Sequence, residues 1–366
     1  MEIFFVFIFT GNLILLAVTA YNFFTAPLVK KRNDSESKHL SISVLIPARN
    51  EAERIGKLLK SLSNQTYPLA EIIVLNDHST DNTVEIVNSF KNKIGTLHLV
   101  NGKELPTGWL GKNWACRQLA ENAKGEHLLF IDADVYLETD AIQSLSHSLI
   151  ENKLDMLSVF PTQNISSFGE WLVVPLMNWI LLSLLPLKKV FTSNNKSFVA
   201  ANGQTILIKK SVYHKIGEHN AVKDDPVEDM GIARLIKRNS FKMMTLLGDK
   251  QIFCSMYNNF SGAVEGYKKN FYPGFKMNPV LFLLMVVILT AIVLFPLIGV
   301  FFNRFFIWTF ILVVINRLFV SVLSKQNVFY NILLHPFQFV VMLYVGLLSV
   351  VQTKRKNISW KGRKLA

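Results

Sequence analysis

The chain has 366 residues, with 39 Lys and Arg against 26 Asp and Glu, a formal charge of +13, half of its residues hydrophobic and two cysteines. A positive mean hydropathy of +0.29 beside so much basic charge means that charge and apolar surface are segregated along the chain. Cys116 and Cys254 stand alone, without CxxC spacing, which excludes a disulfide scaffold and points to a reduced compartment; the basic excess suits anionic lipid and phosphate, and no nucleic-acid recognition motif accompanies it.

From residue 3 to residue 29 there is no charged side chain, 27 residues against the ~20 that span a hydrocarbon core, and Lys30, Lys31 and Arg32 follow at once. Glu2 precedes the apolar run where a cleavable signal would be basic. The pattern predicts a transmembrane anchor over 1–29, a polar linker over 30–39 and a cytoplasmic domain after it. Over 40–276 short apolar runs of strand length, at 42–46, 72–75, 97–100 and 128–131, alternate with helical patterns. Ala52, Ile55, Leu59 and Leu62 recur at helical spacing, with Glu53, Lys57 and Lys60 on the opposite face. Strand and helix in alternation imply an α/β domain with a parallel sheet, whose ligands lie beyond the carboxyl ends of the strands.

Within this domain residues 171–187 are uncharged but broken by Pro175, Asn178 and Pro186 and closed by Lys188 and Lys189. They predict a helix in the cytoplasmic interface, with Trp171 and Trp179 at headgroup depth. Three further apolar stretches follow, 277–303, 305–324 (interrupted by Arg317) and 327–353 (with His335), making a membrane region over 277–353 and a basic tail over 354–366. An anchor plus three full spans would place that tail outside, against the positive-inside rule. Either one late segment does not cross, or 171–187 does.

Polar clusters follow the strands. Pro47-Ala48-Arg49-Asn50-Glu51 follows the first, Asn76-Asp77-His78-Ser79-Thr80-Asp81 the second and Asp132-Ala133-Asp134 the fourth. Asp81 and Asp140 are read as helix N-caps. Asp132 and Asp134, directly after Leu-Leu-Phe-Ile, can turn toward one point and suit a hard divalent cation completed by phosphate oxygens. Gly108-Trp109-Leu110-Gly111-Lys112 opens a helix; its glycines allow close backbone approach, and Lys112 offers a cation to an anionic diphosphate. Glu228-Asp229 begins the helical run 230–236, and spacing alone leaves it open between an acidic first turn and a general base. Asp224 and Asp225 lie one turn upstream.

Taken in order, the clusters at 47–51, 76–81 and 132–134 resemble the nucleotide-sugar signatures of inverting family 2 glycosyltransferases with a GT-A fold, over roughly residues 40–275. The anchor, the carboxyl-terminal hydrophobic segments and the terminal Trp360-Lys361-Gly362-Arg363 narrow the resemblance to the 4,4′-diaponeurosporenoate glycosyltransferase type. The resemblance implies a Rossmann-like, mostly parallel catalytic domain with Mg2+ or Mn2+ as cofactor. It implies Pro47, Arg49 and Glu51 around the base and ribose, with an Arg49–Glu53 surface pair as the alternative, and Asp77 on the uracil or ribose. Lys112 and Asp132 would meet the diphosphate, Asp132 and Asp134 the metal. Asp229 of the Glu228-Asp229 pair would be the base, and Gly203 and Gln204, in the turn 201–204, would contact the acceptor. The Gln-x-x-Arg-Trp of processive members is missing, which disfavours a polysaccharide synthase. Ser255 stands where the narrower group often has Arg before Met256-Tyr257, leaving Lys268 or Lys269 as replacement phosphate contacts.

The expected function is transfer of a single hexose, taken as glucose, from a UDP-sugar to a membrane lipid acceptor, with a carotenoid carboxylic acid as the first candidate. The expected location is the cell membrane, multi-pass, with the catalytic domain cytoplasmic. Polyprenyl phosphate, hopanoid and diacylglycerol are alternative acceptors, and a non-catalytic nucleotide-sugar binder is the alternative class. Arg317 and His335, expensive within apolar segments, suggest a polar partner there.

Overall fold

The computed structural model describes residues 2–31, 39–355, 358–360 and 363–365; most of the expected linker 30–39 and much of the tail 354–366 lie outside them. The chain forms two compact units, one of Pro27–Thr162, Val190–Met256 and Ile358–Ala366, the other of Met1–Ala26, Gln163–Lys189 and Tyr257–Asn357.

The first unit is built on seven strands: β1 (Ile42–Ala48), β2 (Glu71–Asn76), β3 (Leu97–Asn101), β4 (His127–Ile131), β5 (Met156–Phe160), β6 (Thr205–Lys209) and β7 (Met243–Leu247). They lie side by side in the order β3-β2-β1-β4-β6-β5-β7. β6 runs antiparallel to both neighbours, and the remaining pairings are parallel. Burial on both faces explains why the strands read as continuous apolar runs; every residue of β1 except Pro47 is buried. The helix Ile55–Ser63 buries Ile55, Leu58, Leu59 and Leu62, and the expected Ala52 falls in the turn before it. The chain runs from β1 outward to β2 and β3, then returns to the other side of β1 as β4. That reversal opens a crevice between the carboxyl ends of β1 and β4. A small antiparallel pair, Val135–Leu137 with Ile252–Cys254, stands beside it.

Among the described residues the helical unit contains four helices long and apolar enough to cross a bilayer, Glu2–Thr25, Pro279–Gly299, Phe306–Leu323 and His335–Lys354. The apolar helical stretch Phe168–Leu184 is shorter than these four, and its longest regular helix, Pro175–Leu184, has ten residues, about 15 Å of rise. Its Trp179 is 1% exposed: the indole donates to Asn316 Oδ1 at 2.8 Å, and Asn316 donates to Thr19 at 2.7 Å. The expectation that Trp179 faces headgroups is corrected. Asn316, an amide inside an apolar helix, draws the indole N–H inward, because a polar group left unpaired there is costly. Asn22 closes the other end of the same helix by donating to the carbonyls of Leu182 and Leu185 and accepting from Leu187 N–H.

Candidate active site

The three polar clusters are assembled by the sheet. β1 and β2 end side by side, Ala48 opposite Asn76, and the loops beyond them are laced together. Asn50 Oδ1 accepts from Thr80 N–H at 2.8 Å, Glu51 N–H donates to Thr83 Oγ1 at 2.8 Å, and Ala52 N–H donates to Asp81 Oδ2 at 3.0 Å. Asn50 and His78 hold φ of 52° and 53°, and Asn is among the residues that tolerate this left-handed region best. Arg49 reaches across to the carbonyls of Asp77, at 2.7 Å, and His78. Asp77 is 5% exposed. Asp81 accepts from Thr83 N–H and Oγ1–H; it lies one residue before the position expected of it, since Asn82 is the N-cap of the helix Thr83–Phe90. Asp140 stands at the start of the helix Ala141–Glu151 without a side-chain cap bond; its carboxylate accepts from Thr66 and pairs with Lys31 instead.

Beyond β4 the chain turns, Val135 N–H donating to Asp132 O at 3.1 Å. Ala133 is buried in the core, and the carboxylates of Asp132 and Asp134 lie close enough to repel one another. Because β6 is antiparallel, the residues that precede it arrive at the same edge: Ile131 pairs with Thr205, and Asp132 N–H donates to Gln204 O at 3.1 Å. Gln204 Nε2 lies 3.5 Å from Asp134 Oδ1 and also meets Cys254 Sγ. Gly203 N–H donates to Asp229 Oδ2 at 2.7 Å, at the start of the helix Glu228–Arg238.

Lys112, near the start of the helix Gly111–Asn122, joins the two halves. Its ammonium lies 2.8 Å from Asp132 Oδ2 and 3.0 Å from Glu228 Oε1. Burial opposes its charge, but the two carboxylates outweigh burial and hold its pKa above the ordinary value. Lys112 was expected to meet a diphosphate directly; in this structure its ammonium is engaged by two protein carboxylates. The neighbouring Asn113 fixes this arrangement by donating to the carbonyls of Val222, Lys223 and Asp225, which anchors the segment leading to Glu228. Asp225 Oδ1 accepts from Val227 N–H and so completes the turn before the helix.

Pro47, Lys112, Asp132, Gly203 and Glu228 line one narrow cleft with Cys116, Phe130, Tyr213 and His219 behind them. Tyr213 O and His219 Nδ1 are 2.6 Å apart, and burial pushes the His219 pKa down to about 4, so this wall is uncharged at neutral pH. No local pattern in the sequence marked Tyr213 or His219.

Two carboxyls carry raised pKa values. Burial, with repulsion from Asp132 and Glu51, pushes Asp134 up to about 7. Burial and the adjacent Glu228 push Asp229 up to about 7, against the pull of Lys112 and of the Met230 and Gly203 N–H groups. Among the described residues no group of three His, Cys, Asp or Glu side chains could hold a metal ion. The Asp132–Asp134 pair still fits a hard divalent cation, since its mutual repulsion is what a cation relieves, and Mg2+ commonly takes one or two carboxylates with substrate phosphates completing its shell.

The profile described as glycosyl transferase family 2 matches residues 43–217, which contain β1 to β6 and the Asp132–Asp134 turn. Just under half of the chain thus carries the sequence pattern of that family. The chain is 28% identical over 242 residues to a 4,4′-diaponeurosporenoate glycosyltransferase of Staphylococcus aureus strain bovine RF122 / ET3-1, covering 64% of this chain and 62% of the relative. The protein of the same name from strain USA300 matches to the same extent. The chain thus aligns with less than two thirds of these relatives' length. Among solved structures, a mannosyltransferase from Pyrobaculum calidifontis in complex with GDP-Man and Mn2+ superposes with a TM-score of 0.56 at 16% identity, over 96% of this chain and 100% of that one. At that identity the likeness speaks for the fold alone, which is the GT-A architecture the sequence led one to expect.

Proposed function

We propose that the protein is an inverting, non-processive glycosyltransferase that moves one hexose, glucose in the first instance, from a UDP-sugar to a membrane lipid acid of the carotenoid type. The observation that carries this reading is the convergence of Asp132, Asp134, Lys112, Gly203 and the Glu228-Asp229 pair at the crevice where the strand order reverses. The S. aureus relatives support the acceptor class by their name, and the Pyrobaculum structure, solved with GDP-Man and Mn2+, supports a nucleotide-sugar donor and a metal.

In this reading Asp77, Pro47, Arg49 and Glu51 hold the nucleoside. Asp132 and Asp134 would hold Mg2+ or Mn2+, which when bound neutralises charge developing on the departing diphosphate. Lys112, tied to Asp132 and Glu228, sets the position of both carboxylates around the donor. Asp229, with a pKa near the working pH, takes the proton of a hydroxyl acceptor; for a carboxylate acceptor, which has no proton to lose, it orients the attacking group. Gly203 and Gln204 border the acceptor side, Gly203 holding Asp229 through its N–H. Attack on the sugar carbon comes opposite the leaving diphosphate, and no covalent enzyme intermediate is required.

The proposal extends to topology, with the protein multi-pass in the cell membrane and the catalytic domain cytoplasmic. The tail strands Ile358–Trp360 and Arg363–Leu365 group with the soluble unit, as does Val190–Met256. A unit on one face of a membrane requires an even number of crossings between them. Gly299 abuts Phe306, so the helices Pro279–Gly299 and Phe306–Leu323 form a hairpin that supplies two. In the helix His335–Lys354, Gln338 bonds Arg317 while Gly346 faces Phe282 and Val286. Measured from the hairpin's turn, Arg317 lies about 16 Å deep and Phe282 and Val286 about 20–26 Å. The helix therefore advances about 12 Å along its axis for a smaller change in depth. In this reading it lies oblique, toward the end where Pro279 starts, and the hairpin alone supplies the crossings between the two parts of the catalytic unit.

The test is to incubate membranes holding the full chain with labelled UDP-glucose, Mn2+ and a panel of lipid acids, polyprenyl phosphate and diacylglycerol. Label in the lipid-acid fraction is expected. Absence of label in every lipid with both Mg2+ and Mn2+ overturns the reading, and label from GDP-mannose alone overturns its donor.

A further inference from the structure

The helical unit contains a buried cation with no acid to balance it. Arg317 is 1% exposed. Its Nη2 donates to Asn331 Oδ1 at 2.7 Å and to Gln338 Oε1 at 2.8 Å, and its Nε donates to Asn331 O. All of these partners are neutral. The acidic residues of the unit's segments are Glu2, Glu170 and Glu265. Glu170 is taken up by Ser166 and Ser167 and Glu265 by Lys268, while Glu2 opens the first helix.

Around this guanidinium, donors outnumber acceptors. Arg317 Nη1 is buried with no hydrogen-bond partner. Gln326 is 7% exposed and its Nε2 is likewise unpartnered, although its Oε1 accepts from Asn331 in the same network. His335 is 5% exposed with neither ring nitrogen bonded, and it sits three residues before Gln338 on one helix face, where side chains at that spacing are neighbours. A neutral imidazole still presents one N–H. Three buried side chains with unsatisfied donors, joined through Asn331 and Gln338 and carrying a full positive charge, need an acceptor group that brings negative charge. Aromatic side chains stand beside this network: the Trp171 and Tyr330 rings are 5.3 Å apart with their planes tilted by 35°, and Tyr330, Phe329 and Phe337 are exposed, where lipid chains can reach them.

We propose that Arg317, Gln326 and His335 form a binding site for the anionic head, phosphate or carboxylate, of a membrane amphiphile. The site rests on the placement of the helical unit in lipid and not on the transfer reaction, so loss of one reading leaves the other standing.

The full chain, purified in dodecyl maltoside, is titrated with phosphatidylglycerol, phosphatidylcholine and oleate while its thermal midpoint is followed. Phosphatidylglycerol or oleate should raise the midpoint by several degrees more than phosphatidylcholine does. A response to phosphatidylglycerol alone identifies a phospholipid phosphate, and a response to oleate alone identifies a fatty carboxylate. Arg317→Gln should weaken the binding roughly tenfold or more, the loss of one charge-assisted hydrogen bond. His335→Ala removes a buried ring packed edge-on against Phe339 at 4.9 Å; it should lower the lipid-free midpoint and also weaken the lipid-induced shift, whereas Arg304→Gln, in an exposed turn, should keep it. Equal responses to the three lipids overturn the proposal. So does a full anionic-lipid response retained by His335→Ala.

Discussion

Asp134→Asn should stabilise the metal-free protein while abolishing its response to metal. The Asp134 carboxyl stands at about 7 against an ordinary 3.8, a difference of about three pH units or roughly 4 kcal/mol at 1.36 kcal/mol per unit. Because the folded pKa is the higher one, the unfolded chain gives up this proton first. The stability this group contributes is fully present below about pH 4 and is lost as pH rises to about 7. An amide cannot ionise, so the variant escapes the loss. It also forgoes the protonated acid's own hydrogen bonds, which leaves an expected gain of about 1–3 kcal/mol at pH 7.5. A midpoint shift of about 2–4 °C per kcal/mol is expected for a domain of this size. Thermal unfolding of the full chain in detergent, with EDTA and then with Mn2+, at pH 4 and pH 7.5, reads each part. At pH 4 the variant should melt lower, by the hydrogen bonds it forgoes, and at pH 7.5 in EDTA it should melt higher. Mn2+ should raise only the wild type, by about 2.7 kcal/mol at a hundredfold excess over Kd. A variant destabilised equally at both pH values, or one that keeps the Mn2+ shift, would refute the picture of a repelled carboxylate awaiting a cation.

Asp229→Asn should lower kcat by about 10²–10⁴ with a hydroxyl acceptor while leaving UDP-sugar affinity unchanged in equilibrium binding. With such an acceptor the wild-type kcat/KM should fall as pH drops below about 7, where Asp229 becomes protonated; a profile flat from pH 5 to 8 would remove Asp229 as the base. Gly203→Ala places a Cβ 3.1 Å from both Glu228 Oε1 and Lys112 Nζ and 3.5 Å from Asp229 Cβ, so it should reduce kcat about 10–100-fold through displaced side chains, with little change in the melting temperature. For topology, a single cysteine at Asn303 should react with an impermeant maleimide in intact cells, and one at Ser359 only after permeabilisation; reaction of both from outside would exclude an even number of crossings.

What the sequence revealed was local. Asp77, Asp132 and Asp134 could be found because each follows a short apolar run, and strand ends are where a parallel α/β sheet keeps its ligands. Glu228-Asp229 could be found because an acidic first turn precedes a helical period. β5 and β7 escaped notice because runs such as Met-Leu-Ser-Val-Phe and Met-Met-Thr-Leu-Leu fit a buried strand and a buried helix alike. Lys112 was legible as a cation but not in its pairing, since the two carboxylates that hold it lie 20 and 116 residues away. Trp179 looked like an interfacial anchor because hydropathy counts its ring and ignores its N–H, and that N–H is drawn inward by Asn316.

The orientation of β6 explains how two separate stretches of sequence become one site. In a wholly parallel sheet, residues that precede a strand emerge at the amino edge, far from the ligand crevice. β6 runs the other way, so Gly203 and Gln204, which precede it, are delivered to the carboxyl edge beside Asp132. From there Gly203 N–H reaches Asp229 and Gln204 Nε2 approaches Asp134. The inverted strand thus couples Asp132 and Asp134 to the helix that begins at Glu228-Asp229 through two adjacent residues. A substitution in this turn should therefore disturb both at once, whereas one in the loop after β2 should disturb nucleotide binding alone.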